Sequence, residues 1–102
     1  MTKAQKGDIV KSINGRDRDR PLFVLEVEGE YLLLVDGKRR KIEQPKRKKR
    51  KHCMFIKHGD CRTAEKIKAE SKVLNSEIRK AIAAFKAEQN ADLNIDPETE
   101  TK

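Results

Sequence analysis

The residues most able to do chemistry sit together in Asp36–His52, DGKRRKIEQPKRKKRKH. Ten of these seventeen are basic: Lys38, Arg39, Arg40 and Lys41, then Lys46, Arg47, Lys48, Lys49, Arg50 and Lys51. Only Asp36 and Glu43 oppose them, so the stretch carries +8, equal to the net charge of the whole chain. Like charges at that density repel one another until solvent or a polyanion compensates them, and nucleic acid is the commonest polyanion. Lysine would meet phosphate as a point charge, arginine as a fork onto two oxygens, and His52 would add a donor at the end of the run. The same run also fits a solvated surface or a nuclear-import signal of the KRKKRK kind.

Other residues offer less. Arg16, Arg18 and Arg20 lie in GRDRDR, an exposed loop whose Asp17 and Asp19 either pair with the arginines or leave them to RNA. His52, Cys53, His58 and Cys61 are four zinc-capable side chains within ten residues. The spacing Cys53-x4-His58-x2-Cys61 lacks the paired ligands of zinc sites, so no metal is expected, and Cys53 is assigned to the core. No carboxylate pair, Ser/His/Asp arrangement or phosphate-cradling glycine loop is legible, which argues against an enzyme and against a cofactor. Phe23, Tyr31 and Phe55 lie on apolar strands and read as core. RNA recognition is therefore expected to go by shape and backbone, not by stacked bases.

The elements that must position these side chains follow from the apolar pattern. Ile9–Ile13 is a β-branched run ended by the turn signal Asn14-Gly15. Leu22–Val27 and Tyr31–Val35 form a hairpin around Glu28-Gly29-Glu30, and Asp36-Gly37 marks another turn. A brief strand is expected around Lys41–Glu43, limited to an edge by Pro45. The run 46–51 is expected as a loop, and Cys53–Ile56 as the last strand. Five short strands in about fifty residues predict a small closed or half-open barrel, with Ile9, Val24, Leu33 and Phe55 in its core.

Beyond Thr63, the expected N-cap, the period changes. Ile67, Leu74, Ile78, Ile82 and Phe85 recur at intervals of seven, four, four and three, one face of a helix over 63–89 that must either break or project beyond the barrel. Glu65/Lys68, Lys66/Glu70 and Glu77/Lys80 are expected to pair across its polar side. The chain thus divides into a flexible lead-in (1–6), a barrel (7–61), an amphipathic helix (62–90) and a disordered acidic tail (91–102). Residues 1–62 carry 18 Lys/Arg against 9 Asp/Glu, whereas 63–102 carry 7 against 8, so polyanion binding belongs to the first half.

KGDIVKSINGRDRDRPLFVLEV resembles a KOW motif, the strand–loop–strand piece of ribosomal proteins and transcription elongation factors. Asp36-Gly37-Lys38, the basic segment Arg39–Ile42, Pro45-Lys46 and Lys51-His52 follow in the order found in the e-type large-subunit ribosomal protein fourteen of archaea and eukaryotes. Bacterial KOW-domain RNA-binding proteins of similar length share the pattern, and the chain is most similar to those. The resemblance covers about residues 6–58. It implies an SH3-like five-stranded barrel, mainly β with a C-terminal helix, that binds ribosomal RNA without catalysis. One departure is Asp19, where the family usually carries a glycine.

No apolar run reaches the roughly 20 residues of a membrane span. MTKAQKGD has no apolar signal region, so a cytoplasmic monomer with reduced cysteines is expected. The leading expectation is a ribosome-associated RNA-binding protein. The alternative is an interaction module whose helix face docks on a ribosomal or RNA polymerase partner.

Overall fold

The computed structural model describes residues 4–13 and 20–94. Five strands form one antiparallel sheet: β1 (Ile9–Ser12), β2 (Pro21–Glu28), β3 (Tyr31–Val35), β4 (Lys46–Lys49) and β5 (Cys53–Lys57), in the order β4-β3-β2-β1-β5. A 3-10 turn, Arg50–His52, joins the two edge strands. Two helices follow, α1 (Arg62–Lys68) and α2 (Asn75–Asn94), so the chain is mixed α/β.

Both faces of the sheet are apolar. Val10, Leu22, Val24, Leu32, Leu34 and Cys53 share one core with Ala4. Their neighbours Ile9, Phe23 and Val35 face the other way and pack with Ala64 and Ile67 of α1 and Ile78, Ile82 and Phe85 of α2. This is why β2 and β3 open or close as continuous apolar runs without polar alternation. A bulge between Val24 and Glu26 resets the parity of β2, so Val27 joins the first core while Glu26 and Glu28 turn outward.

The first core lies inside a curl. Lys48 on β4 donates to Ser12 Oγ on β1 at 2.6 Å, although two strands separate them in the sheet. In a flat sheet β4 and β1 would lie about 14 Å apart, three spacings of ~4.8 Å, so the sheet must bend over this face. Among the described residues β4 and β5 do not pair, and the curl stays open.

Several expectations need correction. The fourth strand is Lys46–Lys49 and not Lys41–Glu43. Gln44 N–H closes a turn onto Lys41 O, and Ile42 N–H is taken by Asn75 Oδ1, so that segment is tied to α2. The basic run tolerates strand geometry because alternate side chains leave on opposite faces. Leu33 is only half-buried, and Phe55 is 38% exposed on the edge strand, its ring edge-on to His58. Residues 4–6 are no loose lead-in: Ala4 is buried, and Lys6 pairs with Glu26 and Glu70. The backbone of α2 continues to Asn94, into the segment expected as tail, while residues 95–102 lie outside the described residues.

The expected single helix breaks. Glu70 adopts φ 58°, with its N–H on Ile67 O and that of Ser71 on Lys66 O, the paired bonds of a Schellman motif. Cys61, not Thr63, caps α1, its Sγ accepting from Ala64 N–H. Leu74 precedes α2 and is 52% exposed, so it leaves the stripe that Ile67, Ile78, Ile82 and Phe85 bury. The expected polar pairs give way to longer-range ones, Lys66 with Glu77 of α2 and Lys68 with the carbonyl of Gly59.

Candidate nucleic-acid interface

The turn after β3 is built on one carboxylate. Asp36 Oδ1 accepts the N–H groups of Lys38, Arg39 and Arg40, each at 2.9 Å, while the N–H groups of Asp36 and Gly37 return to Arg40 O. Lys38 and Arg39 are thereby held on a fixed backbone with exposed side chains, and Arg40 is half-buried. The turn is docked on α2: Arg79 donates to Gly37 O at 2.7 Å, and Asn75 bridges to Glu43 as well as to Ile42. Lys41 is exposed nearby.

Strand β4 sorts its cations by face. Tyr31 pairs with Lys49 and Leu33 with Arg47, so these four share the outer face. The Arg47 guanidinium lies 3.8 Å from the Tyr31 ring centroid and the Lys49 ammonium 5.9 Å, both within cation–π range. Arg47 also meets Glu28 at 3.4 Å, an exposed pair. Lys48 turns inward to Ser12, and Arg50 donates to the carbonyls of Gly29 and Ala4, so these two hold the fold together. Lys51 is exposed, whereas Lys46 and His52 are half-buried, and the His52 carbonyl accepts from Ile13 N–H. Tyr31 is therefore a surface platform for two cations and not a core residue.

Arg20, exposed at the entry to β2, meets the Asp36 turn across a cleft of about 260 Å3. Arg16 and Arg18 lie outside the described residues. Arg79 and Lys86 of α2 line the same cleft, and sequence reasoning passed over both. Their spacing of seven, flanking Ile82 on one side of the helix, was the signal available.

Elsewhere, His58 Nδ1 lies 3.4 Å from buried Asp8, whose carboxylate also accepts the N–H groups of Gln5 and Gly59. Cys61 caps α1, and burial pushes the Cys53 thiol up, away from reactivity. Among the described residues no three His, Cys, Asp or Glu side chains converge on a metal-sized site. No described helix is long and apolar enough to cross a membrane.

Two carboxylates fasten α2 to the rest. Glu77 is held below its usual 4.5 by Lys66, then by the Leu74 N–H; Glu43 is lowered by Asn75, then by a backbone bond of its own. A folded pKa below the unfolded one contributes stability that is present above the unfolded value and lost as pH falls through the folded one. Acidification from pH 6 to below 4 is therefore expected to loosen the docking of the first turn of α2 first. Amide exchange at Ile42 and Leu74, compared with that of β2, checks this order.

No protein-family model matches the chain, and no curated protein matches it.

Proposed function

We propose that the protein is a non-catalytic RNA-binding module, associated with the ribosome in the cytoplasm, that meets folded ribosomal RNA through its basic surface. The observation that carries this reading is the ordering of the basic run: Arg47 and Lys49 stand on a strand in fixed register over Tyr31. A solvated tail or an import signal needs no such backing. Alternate strand residues sit about 6.8 Å apart, so the cations meet a phosphate backbone as a fixed row. The Asp36 turn adds Lys38 and Arg39 on an equally fixed backbone.

The curled sheet supports an SH3-like barrel of the KOW kind, left open between β4 and β5. The first strand pairs with the last, and a short helical turn joins the two edges. The competing reading, a helix face docking on a ribosomal or RNA polymerase protein, has less to work with. Ile67, Ile78, Ile82 and Phe85 are spent on the sheet.

Cross-linking in cells followed by sequencing of the bound RNA tests the assignment. Recovery of defined ribosomal RNA segments is expected. Recovery of protein cross-links alone would move the function to the second reading.

A further inference from the structure

We propose that the cleft between the Asp36 turn and α2 is a binding site for a phosphate of the RNA backbone, gripped from three elements at once. The ligand's identity rests on the RNA-binding reading above; its anionic class does not. Arg20 comes from the entry to β2, Lys38 and Arg39 from the turn, and Arg79 and Lys86 from α2, over a floor that includes Pro21 and Ile82. Five cations thus face one half-open cleft of about 260 Å3.

Among the described residues one acid lines it, Asp36, so five positive side chains stand against one carboxylate. One of its carboxylate oxygens already accepts three backbone N–H groups of its own turn. Arg79 is oriented by its bond to Gly37 O. Among the described residues Arg20, Lys38, Arg39 and Lys86 have no carboxylate partner. Positive groups converging from separate elements, in excess over the one described carboxylate, focus the field into the cleft and raise the local concentration of anions. The volume falls below the ~300–1,000 Å3 of small-molecule sites, and the rim is charged, which suits one phosphate of a longer chain.

Helix α2, whose half of the chain carries no net positive charge, then supplies two of the five cations. A phosphate held there also ties the turn to the helix, so binding stabilises the docked arrangement.

The test uses the full chain and the double variant Arg39→Ala/Lys86→Ala. Both positions are exposed and, among the described residues, make no side-chain ion pair, so circular dichroism is expected to show an unchanged fold. The variant is expected to bind a folded ribosomal RNA fragment about 10- to 100-fold more weakly at low salt, the loss of charged hydrogen bonds. Its log–log salt slope should be shallower by about 0.7–0.9, one phosphate contact. Pyrophosphate should raise Tm for the wild type and not for the variant. Equal RNA affinity and slope in the two proteins would overturn the cleft site while leaving RNA binding in place. Residue-dependent stabilisation by pyrophosphate with no RNA binding in either protein would overturn both the RNA ligand and the proposed function, and leave a site for free phosphate.

Discussion

Replacing Arg47, Lys49 and Lys51 with alanine is expected to make the salt dependence of RNA binding shallower by about 2–3 in log–log slope. Each neutralised phosphate releases condensed counterions worth ~0.7–0.9 of slope, and these three side chains leave the fold toward solvent or the Tyr31 ring. The loss should be similar for folded RNAs of any sequence, because phosphate contacts position without specifying. Stability should change little, since the Arg47–Glu28 pair is exposed and worth about 0–1 kcal/mol. Lys48→Ala and Arg50→Ala are expected to behave in the opposite way. The first strips a partner from buried Ser12, and the second leaves the carbonyls of Ala4 and Gly29 without their guanidinium. Hydrogen bonds to charged groups contribute about 1.5–3 kcal/mol each, so these variants should unfold at lower temperature. Salt titrations against folded ribosomal RNA fragments, paired with thermal melts, separate the two classes. An unchanged slope in the triple variant would remove β4 from the interface.

Gly37→Ala is expected to destabilise the protein by about 2–5 kcal/mol. Its φ of +80° costs a side-chain-bearing residue about 1–2 kcal/mol. The added Cβ would also come within 2.3 Å of the Asn75 carbonyl oxygen and 2.9 Å of the Arg79 nitrogen. Forcing atoms into a packed contact typically costs a further ~1–3 kcal/mol. Those neighbours are the first turn of α2, so the damage should appear as undocking of the helix and dispersal of the five cations around the cleft. Gly29→Ala is the control: its φ of +61° carries the same backbone penalty, but nothing lies within 4 Å of the new Cβ. Chemical denaturation of the two variants, with methyl NMR of Ile78 and Ile82, measures the difference. If Gly37→Ala is no worse than Gly29→Ala, the turn is not held against α2 as described.

The sequence carried strands β1, β2, β3 and β5 in apolar runs bounded by turn residues, and the positions that bury α2 in a helical period. It was silent on β4, because a run of six cations offers no apolar alternation and like-charge repulsion argues for a loop. What overrides that repulsion is non-local: the backbone bonds to β3, the Tyr31 ring and the reach of Lys48 to Ser12. The break between α1 and α2 was equally hidden, since a glutamate, not a glycine, takes the left-handed position at Glu70. Phe55 misled through its type. An aromatic on an apolar strand reads as core, yet on β5 it has a paired strand on one side only, β1, and it stays 38% exposed. The basic turn was visible as chemistry, but its cleft was not. Arg20, Lys38 and Arg79 are far apart in the chain, and only folding brings them together.

The place of β4 at the edge of the sheet bears on how copies of this chain behave toward one another. An edge strand offers unpaired N–H and C=O groups to any other strand, and lysine is a common natural deterrent to such edge-to-edge growth. Here every residue of the edge strand is Lys or Arg, with Arg47 and Lys49 on its outer face, so two such edges repel before their backbones can pair. The opposite edge, β5, shows Met54 and Phe55 and has one lysine to guard it. A polyanion that neutralises β4 therefore also removes the deterrent on that side. Excess short polyanion, lacking the bulk to cover the strand, should favour self-association of the protein, whereas folded RNA seated over β4 replaces the charge barrier with a physical cover.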